Sequence, residues 1–161
     1  MSIPLNYRNW TYTGVLCANP QKDVIVFASN YFDQILFFNI DGKIIKEHYF
    51  STIKKPLLST TFSGVSSESP IYFSKIYGTP EHCYALRVNR PITDIKEDKA
   101  SIPMQLLSFD WDGNLVAVYE YKSYSKVFCV DESTNTLYGV FNNEENEYSP
   151  ISIDIVKIKL D

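Results

Sequence analysis

A chain of 161 residues suits one domain, and 45% hydrophobic with 21% charged residues is enough to bury a core, which excludes a disordered chain. The net charge is −4 and no basic run exceeds Lys54-Lys55, so nucleic acid and anionic lipid find no attracting field. No apolar run reaches the roughly 18 residues of a membrane span, so no membrane insertion is expected. The opening "MSIPLNYRNW" also lacks the apolar core of a signal peptide.

Aromatic residues make up 15% of the chain, with 12 Tyr and 10 Phe, which favours pleated sheet. Cys17, Cys83 and Cys129 are odd in number and without close pairs, so neither a disulfide framework nor a Cys-x-x-Cys metal site is expected.

In chain order, residues 2–9 ("SIPLNYRN") come first and read as a strand that could close a sheet elsewhere. The first unit, 12–50, reads as four strands at 12–18, 24–30, 34–40 and 43–50. The turn "NPQKD" joins the first pair, and Asp41-Gly42 joins the last pair. Asp-Gly predicts a two-residue type I′ turn with positive φ at both central positions. The second unit, 71–121, holds "IYFSKIY", the turn "GTPE", "HCYALRV", an inserted loop over 89–103, and a second Asp-Gly hairpin over 104–121. The third unit, 124–161, has strands near 125–130 and 136–142, then the polar run "NNEENEYSP" and the strand phrase "ISIDIVKIKLD".

Two repeats tie these units together. At an offset of 71, Leu36 meets Leu107, Phe38 meets Phe109, and Asp41-Gly42 meets Asp112-Gly113. At an offset of 112, Val15 meets Val127, Cys17 meets Cys129, Asp23 meets Asn135, and Ile25 meets Leu137. The two alignments interleave in a consistent strand order. Four-strand meanders recurring every 40 to 50 residues or so predict an all-β fold of β-propeller blades, about three of them.

The phrase Phe109-Asp110 with Gly113, then Phe128, Val130-Asp131-Glu132 and Tyr138-Gly139, then Ile155-Val156-Lys157 with Leu160, resembles the six-bladed, TolB-like propellers of Bacteroidetes bacteria. The resemblance covers residues 12–50 and 104–161 best. It implies half of a six-bladed ring, and a cell-envelope or periplasmic setting. The matching motif is a scaffold motif and carries no catalytic residue.

Residues that could carry chemistry are few. His48 falls in a fourth strand and His82 begins a second strand, so packing is their expected role. Asp110 and Asp112 lack the further ligands of a calcium loop, and turn chemistry accounts for Asp112. The acidic run at 142–148 reads as a solvated loop. Cys17 and Cys129 are repeat equivalents and read as small buried hydrophobes.

Ligand-binding candidates gather on the loops between second and third strands: Asn30 and Tyr31 in one, with Arg87, Asn89 and Arg90 flanking the next. Stacking and forked hydrogen bonds there suit a peptide or a sugar. No catalytic residue, metal or cofactor is expected. The function expected is a non-catalytic scaffold for a protein or glycan. The rival is a propeller hydrolase or lactonase with a channel metal, or a fragment whose site lies in other blades. A homodimer that completes a six-bladed ring by exchanging the N-terminal strand is the expected assembly.

Overall fold

The computed structural model describes residues 5–52, 56–59, 64–97, 104–121, 127–143 and 152–160. It is an all-β structure of three open antiparallel meanders. The first sheet runs β1 (Gly14–Asn19), β2 (Val24–Ser29), β3 (Gln34–Asn39) and β4 (Ile44–Tyr49), in that spatial order. The second runs β5 (Pro70–Gly78), β6 (His82–Pro91), β7 (Met104–Asp110) and β8 (Leu115–Tyr121). The third has β9 (Val127–Asp131), β10 (Thr136–Asn143) and β11 (Ser152–Lys159), with β10 in the middle. The first sheet therefore takes the expected order, with β2 and β3 hydrogen-bonded neighbours from Val24↔Asn39 to Ala28↔Ile35.

Strand alternation sets the packing. In the first sheet Val26 lies opposite Phe37 and both are fully buried, while Phe27 and Leu36 on the other face are half-buried. One core joins the first two sheets through Val26, Ile35, Phe37, Phe73, Phe109 and Trp111. A second core joins the second and third sheets through Tyr84, Leu86, Leu106, Val130 and Leu137. The middle sheet is thus apolar on both faces, and its strand β6 reads "CYAL" with four buried residues in succession.

The repeats hold down to single hydrogen bonds. Asp23 and Asn135, equivalent at the offset of 112, both have positive φ, at 53° and 48°. Asn19 Oδ1 accepts from the Gln21 amide at 3.0 Å, and Asp131 Oδ1 accepts from the Ser133 amide at 3.0 Å. Likewise Asn39 Oδ1 accepts from the Lys43 amide and Asp110 Oδ1 from the Asn114 amide, both at 2.8 Å. Small polar side chains that bond their own turn are what these loops require.

Three expectations are corrected. The Asp-Gly turns are not two-residue turns with both central φ positive. Among their residues only Gly42 and Gly113 have positive φ, 79° in each, and the strand register shifts beside each turn, at Phe37/Phe38 and Ser108/Phe109. The Gly42 amide bonds Asn39 O at 2.9 Å and the Gly113 amide bonds Asp110 O at 3.0 Å. This is a longer turn with a glycine bulge, which leaves Asp41 and Asp112 in ordinary backbone.

The second correction is at the N-terminus. Residues Leu5–Thr11 form helix α1 where a strand over 2–9 was expected, and residues 2–4 lie outside the described residues. A strand with no partner edge leaves its amides unpaired, whereas a helical turn pairs its own. The Tyr12 amide bonds Arg8 O at 3.0 Å, and Thr11 Oγ1 donates to Tyr7 O at 2.8 Å. The third correction is the inserted loop: β6 continues through Pro91, and Ile92–Glu97 form helix α2.

Candidate functional site

The five candidate residues lie at one end of the first two sheets. Asn30 and Tyr31 occupy the β2–β3 loop. Asn30 O accepts from the Tyr72 amide at 2.7 Å, which ties this loop to the start of β5. There Ile71 pairs with Arg90, so backbone bonding brings Asn30 and Arg90 to the same end. Arg87 and Asn89 precede Arg90 on β6, inside the strand rather than on a loop.

Arg87 is not available to a ligand. Its Nε donates to Asp33 Oδ1 at 2.7 Å, its Nη2 to Asp33 Oδ2 at 2.6 Å, and its Nη1 to Gln105 Oε1 at 2.7 Å. The guanidinium also sits 5.5 Å from the centre of the Phe50 ring. The side chains of Arg87 and Asp33 are only 15% and 2% exposed. This forked pair clamps the first sheet to the second. The sequence reading missed Asp33. An arginine inside the apolar run "CYALRV" needs a buried acceptor, but nothing along the chain points to Asp33, which lies in the β2–β3 loop just before β3.

The other candidates stay at the surface or near it. Tyr31 is half-buried, and burial raises its hydroxyl above the ordinary value. Asn89 and Arg90 are exposed, and Asn89 has a φ of 52° inside β6, where the pairing with β5 shifts register between Arg87↔Phe73 and Arg90↔Ile71. Asn30 Oδ1 is buried and lacks a hydrogen-bond partner.

Other polar groups also join one sheet to the next. His48 Nε2 lies 2.6 Å from Gly113 O, with the ring packed among Phe37, Phe50 and Phe109. Asn19 Nδ2 donates to Pro80 O at 3.2 Å. His82 Nδ1 lies 2.7 Å from Glu132 Oε1, which also accepts from the Tyr84 hydroxyl at 3.3 Å. Partial burial pushes the Glu132 carboxyl up, but hydrogen bonds from Thr79 and His82 outweigh it and hold the group below the ordinary value. Burial, with the Glu132 charge beside it, pushes the Tyr84 hydroxyl up to about 12.

Asp110 is a turn carboxylate. Slight burial raises it, and bonds from Asn114 outweigh that and leave it low. Among the described residues no group of three or more His, Cys, Asp or Glu gathers where a metal ion could sit. The acidic run at 144–148 lies outside the described residues.

The cysteines hold a contact that the repeat did not announce. Cys17 Sγ lies 3.6 Å from Cys83 Sγ across the first two sheets, both as free thiols, while the repeat equivalent Cys129 is exposed. The bond to Cys17 and then burial push the Cys83 thiol well above its ordinary value.

No family model and no curated protein matches the chain. A solved structure does: a member of the DUF4221 family from Bacteroides vulgatus, with a TM-score of 0.58 at 14% identity. The match covers 92% of this chain and 46% of the other, so the chain spans less than half of that neighbour's length. At this identity the likeness is one of fold.

Proposed function

We propose that the chain is half of a six-bladed, TolB-like propeller and acts as a non-catalytic scaffold for a protein or glycan segment, with a second copy of the chain as its structural partner. The observation that carries this reading is where the reactive side chains go. Both histidines and the buried Arg87–Asp33 pair are held in contacts between sheets, so their chemistry serves assembly. The same clamp that occupies Arg87 fixes the Asn30–Asp33 loop. Tyr31 and Arg90 then stand on a preorganised base, where a ring and a guanidinium can receive a sugar or peptide at low ordering cost.

A panel of oligosaccharides and peptides on an array, followed by calorimetric titration of the hits, tests the reading. Tyr31→Ala and Arg90→Ala should each weaken binding at least about tenfold, roughly 1.4 kcal/mol, while the urea midpoint stays put. Hits that ignore both substitutions would remove the site. Turnover of any lactone or ester in a parallel panel would remove the non-catalytic reading.

A further inference from the structure

The outer face of the first sheet carries Leu16 and Ala18 on β1, Ile25 and Phe27 on β2, and Leu36 and Phe38 on β3. They lie side by side in register, with Leu16 opposite Phe27, Phe27 opposite Leu36, and Ile25 opposite Phe38. Leu16 is 64% exposed. None of the six belongs to either core. An apolar sheet face of this kind marks an interaction surface.

The repeat says what covers such a face. At the offset of 112, Leu16, Ala18 and Ile25 become Phe128, Val130 and Leu137, and these pack the third sheet back onto the second. At the offset of 71, Leu36 and Phe38 become Leu107 and Phe109, and these pack the second sheet back onto the first. Every unit turns this face towards the sheet before it. The opposite face, with Val15, Cys17 and Val26, packs forward onto the next sheet. Its equivalents on the third sheet include Val127 and Cys129, both exposed.

We infer that the outer face of the first sheet docks the third sheet of a second copy of this chain. This rests on the propeller reading above and names its structural partner. The chemistry required is that of another blade presenting a forward face, and the third sheet is built to that pattern. The stoichiometry comes from length: the DUF4221 neighbour shares the fold, and this chain covers 46% of it, so two copies span nearly all of it. Forward face on backward face is a contact between unlike surfaces. With three sheets per copy it closes after two copies, and a two-fold axis then repeats the contact twice. The N-terminal strand exchange expected from sequence has no part in this, because Leu5–Thr11 are helical.

The register also predicts one atom-level contact. In the second sheet Cys83 pairs with Phe109; in the first, Ile25 pairs with Phe38. Ile25 is therefore the counterpart of Cys83, and Cys129 that of Cys17. Within the chain, Cys17 and Cys83 bring their sulfurs to 3.6 Å. Across the dimer, residue 25 should meet Cys129 of the partner subunit in the same way.

The full chain, run on size-exclusion chromatography with light scattering at micromolar concentration, should give twice 18.5 kDa. Leu16→Asp should shift it to the monomer with the far-ultraviolet circular dichroism unchanged. Ile25→Cys treated with diamide should form a covalent dimer on a non-reducing gel, lost in Ile25→Cys/Cys129→Ser. A stable wild-type monomer overturns the inference, and so does an open, higher-order polymer. A dimer that survives Leu16→Asp, or that gives no crosslink, overturns the face assignment. Ligand binding at Tyr31 and Arg90 is read on the monomer or the dimer alike, so a failed dimer and a failed scaffold are told apart.

Discussion

Arg87 shows how one side chain can look like a binding residue and serve as a structural one. In sequence it flanks a loop that suits a ligand. In the structure its forked head is filled by Asp33 and Gln105. Arg87→Ala strands a carboxylate whose side chain is 2% exposed, and removal of one partner of a buried pair costs about 3–5 kcal/mol. Urea denaturation should show that loss, against about 0.5 kcal/mol or less for exposed Arg90→Ala. Arg87→Lys should also destabilise, because an ammonium keeps the charge and cannot reproduce the fork. If Arg87→Ala is as stable as Arg90→Ala, the clamp is not holding the sheets. Tyr31 and Arg90 were readable as surface candidates; the engagement of Arg87 was not, because its partner lies 54 residues away along the chain.

The Asp-Gly hairpins are the element-scale counterpart. Gly42 and Gly113 share a φ of 79°, so alanine at either incurs the left-handed penalty of about 1–2 kcal/mol. Their surroundings differ. A Cβ on Gly42 meets nothing within 4 Å, whereas one on Gly113 falls 2.8 Å from Lys46 Cβ, on the neighbouring sheet. Gly113→Ala should therefore cost more than Gly42→Ala, by about 1–3 kcal/mol of overpacking. Equal losses in thermal or urea unfolding would mean that the second hairpin does not press on the first sheet. The repeat made the two turns look interchangeable. Only the stacking of one sheet on the other separates them, and the same stacking places His48 against Gly113 O.

For the whole molecule, pH acts on the joints between sheets, through Glu132 and Tyr84 at the second–third joint and Cys83 at the first–second. Glu132 is held below its ordinary value in the folded state and returns to that value, 4.5, when the chain unfolds. Between the two values the unfolded state binds more protons, so stability rises with pH there and is lost as acid carries the folded group through its own pKa. At the alkaline end the sign reverses. Tyr84, raised from 10.0 to about 12, and Cys83, raised well above 9.0, keep their protons when folded. Their contribution is present at lower pH and is lost as pH rises through the raised values. Urea midpoints should fall on both limbs, and Glu132→Gln should flatten the acid limb and, by removing the charge beside Tyr84, also weaken the alkaline one. An acid limb unchanged by Glu132→Gln would show that this carboxylate does not secure the third sheet.

The amino-acid sequence alone determined the three-unit division, the approximate position of each strand and the neighbour order in the first sheet. Those follow from local facts: alternation with period two, and turn residues such as Asn19, Asp131 and the Asp-Gly glycines that bond or bend their own backbone. Which face of each sheet looks forward and which looks back came from the two cores, with the repeat carrying the assignment from one sheet to the next. Three further things were decided only in three dimensions: that Arg87 meets Asp33, that Cys17 meets Cys83 rather than its repeat equivalent Cys129, and that residues 5–11 coil into a helix. The first two are contacts between sheets, where partners are chosen by stacking and not by spacing along the chain. The helix forms because a strand is stable only beside another strand's edge, and no alternation within "LNYRNWT" records whether such an edge lies near.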